Sequence, residues 1–277
     1  MIYKNCLIII ASIFSSLTFC CTSQPKSVTN DSVPASTDYS NVIDTISAVA
    51  AGEVITDDSL IFPDNEKSIV QILQTGKLDP LEVDKNAARQ KWVGMFKIGT
   101  MYFLRPTTLE LMPTTDTNAN IIRQVVMVNT SLLNRCVILI SGLSELTKKD
   151  LQTAQRNKDT VFPNDELAIK FKDNIYSIKA EGKLQQNNDG TFQIKSYKLF
   201  LTASLNGAEI KQLLVAQPLL KNEMISIIWT GDLDGDNKLD LIINASPTKG
   251  YSTPALYLSS KAGQGELVKF VGQHFAK

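Results

Sequence analysis

The sequence predicts a mainly β fold, with antiparallel sheets arranged as a sandwich or an open barrel and a few short helices. Three observations carry this expectation. From Trp92 onward, short β-branched and apolar runs recur, among them Arg123 to Asn129, Cys136 to Ser141, Met224 to Thr230 and Leu241 to Ala245. Turn-forming residues separate such runs at Gly99, at Lys172-Asp173-Asn174, at Asn188-Asp189-Gly190 and at Asn206-Gly207. Leu167 to Phe171 alternates apolar and polar residues, as a strand with one wet face does. Asn and Gly accept positive φ at little cost, so consecutive strands joined by them pair as antiparallel neighbours.

The chain opens on an address rather than a fold. Lys4 supplies a short positive region and Leu7 to Phe19 an apolar core of signal-peptide length, shorter than the roughly 20 apolar residues that span a bilayer. Cys20 and Cys21 follow at once. The region resembles a bacterial lipoprotein signal, which ends in a Leu-containing box before the lipidated Cys. With Cys20 in that role Leu17 fits at minus three but Phe19 is bulky at minus one; with Cys21 the small Cys20 fits but Leu17 is displaced. An ordinary cleaved signal and a retained anchor are the other two readings. Residues 1–21 are thus expected to be a signal peptide and residues 22–45 a tether. Thr22 to Asn41 is rich in Ser, Thr, Pro and Asn and has too little apolar surface to offset the entropy of ordering it.

Residues 46–277 make up the globular region. Asn65 to Gln74 reads as a helix capped by Asp64 and ended by Gly76, and Leu81 to Gln90 as another short helix. Val93–Lys97 and Met101–Leu104 read as a hairpin turning near Gly99, followed by a strand over Thr107 to Met112. Arg123 to Asn129 and Cys136 to Ser141 read as buried strands, and the polar Thr147 to Arg156 as a surface helix. Strands follow at Leu167 to Phe171, Ile175 to Ala180, Thr191 to Thr202 and Glu209 to Ala216.

Composition removes several classes of function. Net charge is zero and no Lys/Arg run stands out, so nucleic acid is not an expected partner. His274 is the only histidine, which excludes a His-rich zinc site and leaves a Ser-His-Asp or Cys-His arrangement resting on a residue expected to be a solvated terminal one. Gly-rich phosphate loops are absent. Cys136 is the cysteine left after the signal region, and in RCVILIS it reads as a small buried apolar residue rather than a catalytic thiol.

The stretch that carries chemistry is DLDGDNKLD, Asp232 to Asp240. It places Asp232, Asp234, Asp236 and Asp240 at loop positions one, three, five and nine. Four carboxylates that close repel one another unless a cation sits among them, and oxygen-only ligands suit a hard ion such as Ca²⁺. An EF-hand would need a Glu at position twelve and flanking helices; Ile243 stands there, between β-prone flanks. Magnesium, which demands near-ideal octahedral geometry, suits the loop less well. A solvated Asp-rich turn is the bland alternative, although turn chemistry does not require a carboxylate at all four positions.

The loop resembles the calcium loops of integrin-type FG-GAP and VCBS repeats. That resemblance implies a hairpin clamp over residues 224–245, with Asp232, Asp234, Asp236 and Asp240 as side-chain ligands and the Lys238 carbonyl completing the shell. Asn237 stands where those loops have Gly, and Asn also visits the left-handed region readily. No internal repeat accompanies the loop, so a propeller of equivalent blades is not expected. More widely, Trp92 to the C-terminus resembles uncharacterised exported proteins of Bacteroidetes-like bacteria, which implies a shared fold and an envelope location but no activity.

Together these readings lead to a non-catalytic, calcium-stabilised module of the cell envelope with a glycan or protein ligand, touching the membrane only through a lipid anchor. Pro247 to Pro254, with Tyr251, is a candidate binding loop beside the calcium hairpin. The alternatives are a subunit of an envelope complex and a polysaccharide-directed hydrolase, which can work with two carboxylates and no histidine.

Overall fold

Strand-forming runs dominate the chain, and the computed structural model pairs most of them with a sequence neighbour. It describes residues 61–63, 70–116, 121–128, 131–205, 207–246 and 252–274. The signal region with Cys20 and Cys21, the tether, residues 64–69 of the first expected helix and residues 247–251 of the candidate binding loop lie outside the described residues. The chain divides into Met1–Gly52 and Glu53–Lys277, and every described residue belongs to the second unit.

In chain order the strands are β1 (Gln71–Leu73), β2 (Gly76–Leu78), β3 (Trp92–Ile98), β4 (Met101–Thr107), β5 (Leu109–Asp116), β6 (Ile121–Val128), β7 (Cys136–Ser141), β8 (Lys149–Asp150) and β9 (Gln152–Thr153). They continue with β10 (Glu166–Phe171), β11 (Asn174–Gln186), β12 (Phe192–Leu205), β13 (Ala208–Lys221), β14 (Ser226–Asp232), β15 (Asp240–Asn244), β16 (Pro254–Leu258) and β17 (Lys269–Gln273). All pairings are antiparallel and form four sheets, ordered β2-β6-β5, β1-β7-β3-β4-β8, β17-β16-β15-β14-β9 and β10-β11-β12-β13. The mainly β, antiparallel expectation holds, and the arrangement is a sandwich of open sheets rather than a closed barrel.

Side-chain alternation shows how the sheets stack. In the β17-to-β9 sheet, Leu241, Ile243, Ala255 and Tyr257 enter a core shared with Ile178, Leu199, Leu201 and Leu214 of the long β10–β13 sheet. Their immediate neighbours Ile242, Leu256 and Leu258 point the other way, into a core with Met95, Leu104, Ile138 and Ile140. That second sheet is two-faced as well, because Leu73, Phe96, Phe103 and Leu139 enter a third core with Leu109, Val126 and Val128. Two inner sheets are therefore buried on both faces. This is why RCVILIS, MISIIWT and LIINA are continuous apolar runs rather than alternating ones. Tyr257 also ties two layers by donating its hydroxyl to the Leu214 carbonyl at 2.6 Å.

Several expectations are corrected. The helix expected over Asn65 to Gln74 is strand where it is described, since Ile72 and Leu73 on successive positions feed two different cores. Leu81 to Gln90 contains only two single 3₁₀ turns, Pro80–Glu82 and Ala87–Arg89. The surface helix expected over Thr147 to Arg156 is instead β8 and β9, two-residue strands that close the edges of the two inner sheets. Arg123 to Val128 is only half-buried, with Val126 and Val128 inward and the rest of the run partly exposed, because β6 lies in the outermost sheet. His274 is not solvated but 2% exposed, held at the end of β17 by its peptide N–H to the Pro254 carbonyl at 2.9 Å. Cys136 is half-buried, and burial pushes its thiol up to about 12, as suits a packing residue.

Candidate metal centre

The Asp-rich loop joins β14 to β15 in an inner sheet. Its first and last acids are the strand ends themselves, with Gly231 paired to Asp240 across the hairpin. The two leucines just inside them fix the loop from both sides. Leu233 is fully buried in the core toward β3 and β7, while Leu239 is buried in the opposite core toward β10 to β13. The motif thus alternates a buried apolar anchor with an oxygen donor, which stiffens a loop of otherwise polar residues.

Between these anchors the loop winds around its own carboxylates. Gly235 and Asn237 donate their N–H groups to Asp232, and Asn237 takes the left-handed φ of 68° expected of it. Asp236 N–H donates to Asp234 Oδ1 at 3.2 Å, and Lys238 N–H to Asp236 Oδ1 at 2.8 Å. Leu233 N–H donates to Asp240 Oδ2 at 2.7 Å. The result is a loop whose backbone donors hold carboxylates inward instead of releasing them to solvent.

Asp232, Asp234 and Asp240 each offer a carboxylate oxygen such that all three atoms lie within 4.8 Å of one another. Asp232 and Asp240 are buried and Asp234 is half-exposed. Burial, with the charge of Asp234 adding to it, pushes the Asp240 carboxyl up to about 7, against the N–H groups of Ser259 and Leu233 that favour the carboxylate. Buried like charges at this spacing form a group that can hold a metal ion. Asp236 stands aside from the three, since its Oδ2 accepts from the Ser259 hydroxyl at 3.0 Å and its Oδ1 from Lys238 N–H. Lys238 is exposed at the outer rim of the loop.

Sequence reasoning missed the groups that surround the loop. Ser259 donates its peptide N–H to Asp240, and the Ser260 hydroxyl donates to Asp234. Both follow β16, which pairs with β15 in the register Leu241 to Tyr257, so Ser259 comes beside the loop only once that register is known. Lys172, in the turn between β10 and β11, donates to the Asn237 side chain. Tyr176 lies against the loop, and burial raises its hydroxyl, with Asp236 and Asp240 adding to the rise. On the open side, Asp234 and Asp236 share a depression with Ser260, Glu145 and Lys261, the last two paired at 2.8 Å. An ion therefore has a route to the group from solvent.

No helix among the described residues is long and apolar enough to cross a membrane. Compared with protein-family models, with curated proteins and with solved structures, the chain matches none.

Proposed function

We propose that the protein is a non-catalytic, calcium-stabilised module of the cell envelope that presents its β domain to a glycan or protein ligand. The observation that carries this reading is the convergence of Asp232, Asp234 and Asp240, whose oxygens lie within 4.8 Å of one another. Calcium binds oxygens at about 2.3–2.6 Å, so ligands on opposite sides of it stand about 4.6–5.2 Å apart, and the observed spread fits inside that limit. Asp236 and the Lys238 carbonyl complete the shell, Asp236 exchanging the Ser259 hydroxyl for the ion. Calcium would supply positive charge where three carboxylates meet, and would fix the β14–β15 hairpin that both neighbouring cores hold.

The export signal and the Ser/Thr/Pro-rich stretch support an envelope location, with a lipid on Cys20 or Cys21 as the membrane contact. A screen of the protein against glycans and envelope proteins, run in calcium and in chelator, tests the reading. Binding that depends on calcium is the expected result. A ligand that is turned over rather than retained, or a melting curve indifferent to calcium, would reject it.

A further inference from the structure

Away from the Asp-rich loop, a cavity of about 330 Å³ opens where β1, the two 3₁₀ turns and the end of β17 meet. Leu73, Ala87 and Trp92 form an apolar side, and the indole N–H of Trp92 donates to the Ala87 carbonyl at 2.7 Å, so that ring is held in place. Leu81 lines the edge and is 76% exposed, which connects the cavity to solvent. The volume falls at the lower end of small-molecule sites, roughly 300–1,000 Å³, and far exceeds the roughly 30 Å³ share of a single water.

The buried side-chain atoms of the cavity that have no partner are acceptors. His274 Nδ1 is 3.3 Å from the Ile72 carbonyl, which can only accept, so Nδ1 carries the proton. In the neutral ring, which burial favours, Nε2 is then a lone pair. Nε2 is buried and has no hydrogen-bond partner, and Gln273 Oε1 is in the same condition. Both residues line the cavity. Glu82 places Oε2 3.9 Å from Nε2, beyond hydrogen-bond reach, with side-chain exposures of 6% for Glu82 and 2% for His274. The Asp79 N–H fixes Oε2 at 3.2 Å through the capping box of the first 3₁₀ turn. Asp84 adds a second carboxylate to the lining, and no Lys or Arg is among the described lining residues. Leaving a buried acceptor unmet costs about 1–3 kcal/mol, so His274 Nε2 and Gln273 Oε1 are satisfied only with a donor in the cavity.

We propose that this cavity binds a small organic cation, a primary ammonium on a short apolar body, with the ammonium held between Glu82 Oε2 and His274 Nε2. One nitrogen with three donors can reach both atoms across their 3.9 Å separation and has a third hydrogen to spare. The apolar body lies against Leu73 and Trp92.

His274 is the only histidine, so its ring resonances report the site without ambiguity. Titrating the full chain with n-butylammonium should shift the ring ¹⁵N signals along a saturating curve, while n-butanol of the same shape should leave them in place. Glu82→Gln keeps the capping acceptor but removes the charge, and should weaken n-butylammonium by about tenfold or more. A response that never saturates, one that n-butanol reproduces, or one that Glu82→Gln leaves unchanged would overturn the proposal. The alcohol control needs no variant, so the result stands even if Glu82→Gln fails to fold.

Discussion

Ser259 directs both its peptide N–H and its hydroxyl to one oxygen of Asp240, each at 2.8 Å. The same hydroxyl lies 3.0 Å from Asp236 Oδ2, and a hydroxyl has one proton to give. One hydrogen therefore stands between two carboxylates, an arrangement that a cation relieves. Ser259→Ala should cost about 1.5–3 kcal/mol in calcium-free buffer, the worth of a hydrogen bond to a charged group. Urea unfolding with and without calcium measures it. The loss should shrink with calcium present, and an equal loss in both buffers would count against an ion in the loop.

Asp234 is the half-exposed member of the converging three, so its side chain can be removed without opening a core. Calcium at tenfold its dissociation constant adds about 1.4 kcal/mol to folding. For a domain of this size that raises Tm by about 3–6 °C. Asp234→Ala should abolish the rise while leaving the calcium-free Tm close to that of the unaltered protein. A wild-type Tm that calcium does not move would end the metal reading outright.

Protonation of Asp240 gives a second handle. Its carboxyl is raised from 3.8 to about 7 by burial, so between those values the folded protein holds a proton that the unfolded chain has released. Stability in calcium-free buffer should therefore fall as pH rises through that window. Calcium binds the carboxylate form and should flatten the decline. Thermal melts across the window check both points, and Asp240→Asn should lose the pH dependence attributable to this group. A calcium-free Tm that climbs over the same range would contradict the assignment.

Gly231 precedes the first acid of the loop, and its place is set by packing. A Cβ there would stand 2.0 Å from the Gln152 carbonyl oxygen and 2.6 Å from the Trp229 ring. Gly231→Ala must push β9 away from β14 or shift a fully buried tryptophan, and should destabilise by about 1–3 kcal/mol or more. Denaturant unfolding reads the loss. The calcium response should weaken along with it, since Asp232 is the next residue.

The β14–β15 hairpin was legible because its signals agree. Two β-branched runs flank a loop whose acids fall at positions one, three, five and nine, and both runs pair as expected. The long β10 to β13 strands were legible from their turns. What escaped depended on partners far away in sequence. β8 and β9 have two residues each, too few for any period, and exist because two sheet edges accept them. Arg156, expected on a surface helix, sends its guanidinium to the Ile227 and Ile228 carbonyls at 3.1 and 3.2 Å, where the β14–β15 register slips. His274 looked like a terminal solvent residue because nothing in FVGQH announces that β1 will cover it. Ser259 escaped for the same reason: its role follows from strand register, not local pattern.

The inner sheet of β14 to β17 also bears on how the protein comes into being. It supplies one wall of two cores, yet four of its strands, β14 to β17, come later in the chain than every strand they pack against. Until they emerge, Met95, Leu104 and Ile138 on one side and Ile178, Leu199 and Leu214 on the other lack the β14 to β17 side chains that pack on them. A ribosome working from the N-terminus thus releases two half-finished apolar surfaces before the piece that covers both. Such intermediates are prone to stick to one another. Truncation directly after β13 would remove the β14 to β17 wall from both surfaces at once, so these strands act as the keystone of the domain.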